Sequence, residues 1–354
     1  MNVNSPARTV AAALALGAAA SAASAQSSTV TIYGLMDAGI THYSSTVNGG
    51  SLTALDTGVA QANRLGFRGE EGLGGGRSAF FTLESGFAGD TGALGQGGLI
   101  FGRQAFVGLG DMSLGRVSLG RQYDFMTNIG ASYTVAALSA AGAMAWGLHA
   151  DAANGGLLND HTYAGDRTNN SIKYQSPTFS GFNFGALYGL GEVAGNNSAN
   201  RTVSLGGGYD KGPFSTGAAY TDIKDATGAT ATRMAGWGIR FQFGMFQPFA
   251  LVTHVRKPQT GAAATTYELG SMVQLTPMVN LGVSYQLQDR NQSVASAHMI
   301  SGALDYVLSK RTDVYVALAY DRDKAYRAFP VYGGGVQSGS GSQTAVRIGM
   351  RHRF

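Results

Sequence analysis

Cysteine is absent from the 354 residues, so neither a disulfide framework nor a thiolate metal centre can hold this chain together. Proline is scarce, at seven residues, and Pro177, Pro213 and Pro277 all fall in short glycine- or polar-flanked turns where a missing N–H is harmless. After the first 25 residues no run reaches the roughly 18 apolar residues that a membrane helix needs. Charge of one sign is lacking too: 25 basic against 21 acidic residues give a formal +4, too balanced for a nucleic-acid binder. Catalytic signatures are missing as well. The six histidines are scattered with no His-Glu-x-x-His spacing, and no Gly-x-Ser-x-Gly elbow occurs. The Gly72–Gly76 cluster lacks the Lys-Ser/Thr of a phosphate loop and reads as a hairpin turn. Asp321 and Asp323 lack the glycine and glutamate spacing of a calcium loop, and read as the wet root of an external loop. No cofactor and no metal are expected.

What the chain does contain is alternation. Residues 1–25 read as a secretory signal, with Arg8 at its start, an apolar Val10–Ala20 and the small-residue site Ala23-Ser24-Ala25. Its removal would leave residues 26–354 as one unit with a formal charge of +3, since Arg8 is the single charge lost. At the far end Val346, Ile348, Met350 and Phe354 share one parity, and Arg347, Gly349, Arg351 and Arg353 the other. A strand of roughly 9–11 tilted residues crosses a bilayer. An arginine facing lipid near the midplane would cost about 2–4 kcal/mol, so this row must face water. Similar strands recur throughout, including Thr29–Thr41, Asn63–Glu70, Ser78–Phe87, Gln104–Leu109, Arg116–Tyr123, Val279–Gln288 and Asp313–Asp321. Sixteen candidates alternate with short and long connections. The short ones include Ser176–Gly181 and Leu308–Thr312; the long ones include Ser44–Ala62, Asp222–Thr232 and Arg322–Ser342. This pattern predicts an all-β fold, a transmembrane antiparallel β-barrel of 16 strands with short turns on one side and long loops on the other. The 53 glycines and 16 tyrosines suit tight turns and interfacial aromatic girdles. One long segment, Asp124–Asp166, interrupts the rhythm, and Ala136–Trp146 within it reads as an alanine-rich helix.

Several stretches, in one order along the chain, carry a family likeness: Thr31-Ile32-Tyr33-Gly34, Asn63 to Glu70, Phe101 to Leu109, Gly120-Arg121-Gln122-Tyr123, Ser176 to Phe182, and Leu308 to Thr312. With these the chain resembles the trimeric general porins of Gram-negative outer membranes, of the β-proteobacterial type. The resemblance implies a homotrimer in the outer membrane, surrounded by lipid and lipopolysaccharide, passing small hydrophilic solutes by passive diffusion. It implies that the third external loop, here about 124–167, folds inward and narrows the channel. It also implies a basic wall at Arg64, Arg103 and Arg167, and it makes the terminal Phe354 the signal read by the barrel-assembly machinery. Parity puts Arg64 inside, opposite Leu65 and Phe67. Arg103 shares parity with outward candidates Ala105, Val107 and Leu109, whereas the cost of desolvating a guanidinium argues for the inside. The acidic loop motif of the enterobacterial members is missing. Between Phe125 and Ala150 the titratable groups are Tyr133 and His149, so the acidic candidates reduce to Asp124, Asp151 and Asp160. An intact basic half without a clear acidic half predicts anion preference. The competing readings are an outer-membrane barrel hydrolase, which needs a Ser–His or Asp–His pair on adjacent strands, and a surface adhesin or structural anchor.

Overall fold

The computed structural model describes residues 28–146, 148, 159, 161, 167–291, 296–323, 336 and 338–354. The signal segment 1–25 and the candidates Asp151 and Asp160 lie outside the described residues. The chain runs through β1 (Ser28–Tyr43), β2 (Leu52–Thr57), β3 (Arg64–Gly74), β4 (Arg77–Gly86), β5 (Gln104–Asp111) and β6 (Gly115–Tyr123). The third loop follows, with α1 (Phe125–Tyr133), α2 (Val135–Leu138) and a 3-10 turn at Gly142–Ala145. Then come β7 (Arg167–Gln175), β8 (Phe182–Gly189), β9 (Thr202–Lys211), β10 (Phe214–Lys224), β11 (Ala231–Phe241) and β12 (Phe246–Lys257). The last five are β13 (Ala262–Thr276), β14 (Val279–Arg290), β15 (Ala297–Val307), β16 (Thr312–Asp323) and β17 (Ser342–Arg353).

From β3 onward each strand pairs antiparallel with the next, and β17 returns to β1 with Leu35 opposite Arg353 and Tyr43 opposite Ala345. That last pairing closes the sheet. Sixteen strands form the wall, because β2 is a spur that pairs only with Ala38–Tyr43, the upper half of β1, while β3 takes the lower half from Ser28 to Leu35. Closure matters because hydrocarbon offers no partner to a free N–H or C=O. The alternation read from the sequence is the alternation of surroundings. In β17 Ile348 is 66% exposed on the outer face, and its neighbour Arg347 is fully buried on the inner one. Val30, Leu109, Leu269 and Ile300 stand outward in the same way. Aromatics cluster outside near the short-turn end, among them Phe179, Phe182, Phe243, Phe246 and Tyr306, where amphipathic rings sit well at a membrane interface.

Two expectations change. The Asp222–Thr232 connection shrinks to 225–230 because β10 and β11 pair up to Lys224 and Ala231, and β12 and β13 leave only 258–261 between them. Loops on that side are thus not uniformly long. The helix expected at Ala136–Trp146 starts earlier, at Phe125. Asp124 caps it by accepting from the Thr127 N–H at 2.9 Å. Thr134 and Ser139 are extended and break the run, and Gly142 turns with φ 54° against the Val59 carbonyl, a contact that no Cβ would allow.

The apolar core lies inside the barrel, where the described part of the third loop rests on the inner wall of β8 to β16. Phe125, Met126, Ile129 and Tyr133 pack with Leu187, Ala219, Met234 and Leu251; further on, Val135, Ala140, Ala141 and Met144 pack with Tyr43, Phe249, Tyr315 and Ala317. The wall is made of small residues there. The Phe125 ring fills the space a Cβ would need at Gly185 and Gly206, and Tyr133 does the same at Gly238. Burying a large apolar side chain contributes about 1.5–3 kcal/mol, so this cluster alone supplies a strong reason for the loop to stay against the wall.

At the seam, Gly34 and Phe354 exchange backbone hydrogen bonds of 3.0 and 3.1 Å, and the Phe354 ring lies across Gly34 where a Cβ would come within 2.2 Å of it. Gly34→Leu should therefore weaken closure by about 1–3 kcal/mol, as overpacking does. Urea unfolding in detergent, followed by gel mobility of the folded barrel, should show a lowered midpoint; an unchanged midpoint contradicts the packing.

Candidate pore constriction

Arg64 opens β3 on the inward parity and donates from Nε to the Ala62 carbonyl at 3.1 Å. Across the neighbouring strand stands Glu84 of β4. Its Oε2 accepts from the Tyr33 hydroxyl at 2.9 Å, and the Tyr33 ring is seated over Gly66. Its Oε1 accepts from Arg103 Nε at 2.6 Å. Arg103 is only 5% exposed and sits inside the barrel. The parity conflict disappears because Arg103 precedes β5: its N–H donates to the Glu84 carbonyl at 3.1 Å, and the alternation starts only at Gln104. From there Phe106 faces inward, and Val107 and Leu109 face outward.

Two of the three arginines, Arg103 and Arg167, meet at Tyr123. Its hydroxyl accepts from Arg103 Nη2 at 2.8 Å and from Arg167 Nη2 at 3.1 Å, and the Arg167 guanidinium lies over its ring at 4.9 Å. A register shift between β6 and β7 makes this reach available: Gly120 pairs with Ser171 but Gln122 with Thr168, with Asn170 at φ 50° in the bulge. Strand parity around Arg167 is broken at that bulge, which is why sequence alone could not place it. Nothing in the sequence marks Tyr123 as part of the site, whereas Glu84 is legible as an inward wall carboxylate able to pair with the arginines. Arg103 thus bridges Glu84 and Tyr123 and shares Tyr123 with Arg167, and these hydrogen bonds to charged groups order the basic side chains.

Asp124 stands elsewhere. Its carboxylate is 4% exposed and serves the α1 cap, with Oδ2 accepting from Thr221 at 2.8 Å. Burial pushes this carboxyl above the usual range, and the hydrogen bonds from Thr127 and Thr221 pull the other way. It is not placed to face the arginines as a free acid. The terminal row also divides. Arg347 is fully buried, donating to Tyr315 at 2.8 Å, Thr41 at 2.9 Å and the Asp56 carbonyl at 3.0 Å, with Asp37 at 3.4 Å, so it ties the β2 spur to the wall. Arg351 pairs with Asp313, with Asp305 at 3.9 Å, beside a cavity of about 490 Å³ lined also by Gln61, Gln247 and Asn280. Elsewhere Glu268 accepts from the Val135 N–H at 2.9 Å and lies 3.2 Å from His161, holding two parts of the third loop to β13.

A closed, sixteen-stranded barrel with a wet, charged interior and an apolar outer face defines an outer-membrane channel. The profile of the Gram-negative porin family matches residues 11–326, and the chain belongs to that family. It is 34% identical to outer membrane porin protein 32 of Delftia acidovorans, over 97% of this chain and 98% of that protein. Among solved structures it is similar to an anion-selective porin from Comamonas acidovorans, with TM-score 0.75 and 30% identity over 93% of this chain and 100% of that one. The trimer form of OmpT from Vibrio cholerae shares the fold at TM-score 0.66 and 13% identity, over 93% and 100% of the two chains. The chain is thus an outer-membrane porin, and the hydrolase and adhesin readings fall away.

Tyr123→Phe removes the acceptor shared by Arg103 and Arg167 and should lower unfolding stability by about 1–3 kcal/mol, the worth of hydrogen bonds to charged groups. A urea midpoint equal to that of the parent would show that the two arginines do not depend on it.

Proposed function

We propose that this porin passes small hydrophilic anions in preference to cations, with Arg64, Arg103 and Arg167 forming the basic side of its narrowest zone. The observation that carries the reading is the linkage of Arg103, at the end of the second external loop, and Arg167, on β7, through Tyr123, with Glu84 bonded to Arg103 and with Arg64 on the inward parity of β3. The third loop lies against the opposite wall, so its α1 and the arginine cluster would face each other across the opening. The anion-selective Comamonas porin supports the same sign of preference. A wall charge in a narrow, partly desolvated passage acts on a permeating ion with about 1–4 kcal/mol at contact distance, enough to sort ions by sign without binding them tightly. The protein would assemble as a homotrimer, as the Vibrio OmpT trimer form suggests for the shared fold. Phe354, packed across the seam, would also serve as the assembly signal, and residues 1–25 as the secretory signal that is removed.

Reversal potentials across planar bilayers in a potassium chloride gradient test the reading. The parent should favour chloride, with insertion in steps of three conductance units. Arg64→Glu should cut the chloride-to-potassium permeability ratio at least about fivefold, the ratio that about 1 kcal/mol supplies. A parent that favours potassium, or an Arg64→Glu channel with unchanged reversal potential, overturns it.

A further inference from the structure

Below the arginine cluster the barrel interior carries two benzene rings that the filtering role does not use. Phe80 of β4 and Phe106 of β5 both face inward and stand edge to face, with centroids 6.3 Å apart and planes at 76°. A water-filled channel gains nothing from phenylalanine on its wall, and an apolar surface left facing solvent is the informative exception. Phe249, by contrast, is only 2% exposed beneath the third loop. Phe80 and Phe106 instead border a cavity of about 530 Å³, within the range of small-ligand sites.

The groups around them have a definite chemistry. Arg116 holds its guanidinium 4.0 Å from the Phe80 centroid. It also reaches Glu70 at 3.0 Å, but both side chains are about half exposed, so this pair exchanges readily for another carboxylate. Arg68 rests over the Tyr33 ring at 5.3 Å, and no carboxylate among the described residues lies within ion-pair distance of it. Register places Arg68 beside Thr82 and Thr82 beside Phe106, so Arg68 and Phe106 stand two strands apart. Two strand spacings are about 9.6 Å, a span that one aromatic ring with its carboxylate bridges. Arg64 and Arg68 lie four residues apart on β3, which puts this cavity about 13 Å further along the wall, towards the short-turn side of the arginine cluster.

We propose that this cavity is a binding subsite for aromatic carboxylates, in which the solute's ring lies against Phe106 and the edge of Phe80, and its carboxylate is held by Arg68 and Arg116. The proposal rests on the anion-channel reading and narrows it to a solute class. An aromatic acid that has passed the basic constriction meets a second cation pair with a matching apolar floor. Its residence there raises the local concentration of that class over chloride or acetate.

The test is single-channel chloride current through the full-length porin in planar bilayers, titrated with sodium benzoate or sodium acetate. Benzoate should reduce the current at about tenfold lower concentration than acetate, the scale of one ring contact with one cation–π contact. Phe106→Leu keeps an apolar side chain but loses the ring, and should shrink that benzoate-to-acetate ratio by about fivefold. Phe80→Leu should do the same and serves if the first variant fails to give a folded barrel on gels. Arg68→Gln should weaken the benzoate effect more than the acetate effect. A channel that conducts chloride but responds equally to both acids overturns the subsite and leaves the porin reading standing. A benzoate preference that survives both leucine variants overturns the location. Absence of any channel current overturns the channel reading itself, and the subsite with it.

Discussion

Inside a bilayer every backbone N–H and C=O has to find a partner within the protein, and this single requirement orders the whole molecule. A closed antiparallel sheet meets it strand by strand, and the pairing of β1 with β17 meets it at the one place where the chain could have left an edge. Once the sheet closes, consecutive side chains have only two destinations. The outer set must tolerate hydrocarbon, and the inner set is free to carry charge. Ile348 and Arg347 are neighbours in sequence with opposite surroundings for that reason.

An inner face released from lipid does not have to be empty. Here one half of it is built from glycine and alanine and receives the third loop, whose Phe125, Ile129, Tyr133 and Met144 make the core that a soluble protein would place between its layers. The other half, from β3 to β7, carries polar side chains tied to one another by hydrogen bonds. The arginines, Glu84 and Tyr123 sit on that half, and so does the cavity bordered by Phe80 and Phe106. Asymmetry of the lumen is thus a consequence of where small residues leave room for the loop. The proposed selectivity by charge would act on the side of the lumen that carries the arginines.

Much of this was legible in the chain. Period-two alternation gave the strands, their order and the inward direction of Arg64, because a one-residue error would send every side chain to the wrong solvent. The features that were not legible are those where alternation stops. Arg103 lies one residue outside its strand, Arg167 beside a bulge, and both needed three-dimensional contacts with Glu84 and Tyr123 to be placed. The helix in the third loop was misplaced because alanine content pointed to Ala136–Trp146. The cap at Asp124 and the seats at Gly185, Gly206 and Gly238 favour an earlier start, and those seats lie far away in sequence. Inward glycines read as turn or spacer residues until the loop that fills them is seen.

The central claim is that adjacent residues of one strand meet two different solvents. Because the chain has no cysteine, single cysteines at positions 79 to 83 of β4 can report it directly. In the reconstituted protein, cysteines replacing Phe80 and Thr82 should react with a charged, membrane-impermeant thiol reagent, while fluorophores at Ala79, Phe81 and Leu83 should be quenched by quenchers carried on lipid tails. Uniform labelling along the segment, or quenching without a two-residue period, would contradict the account.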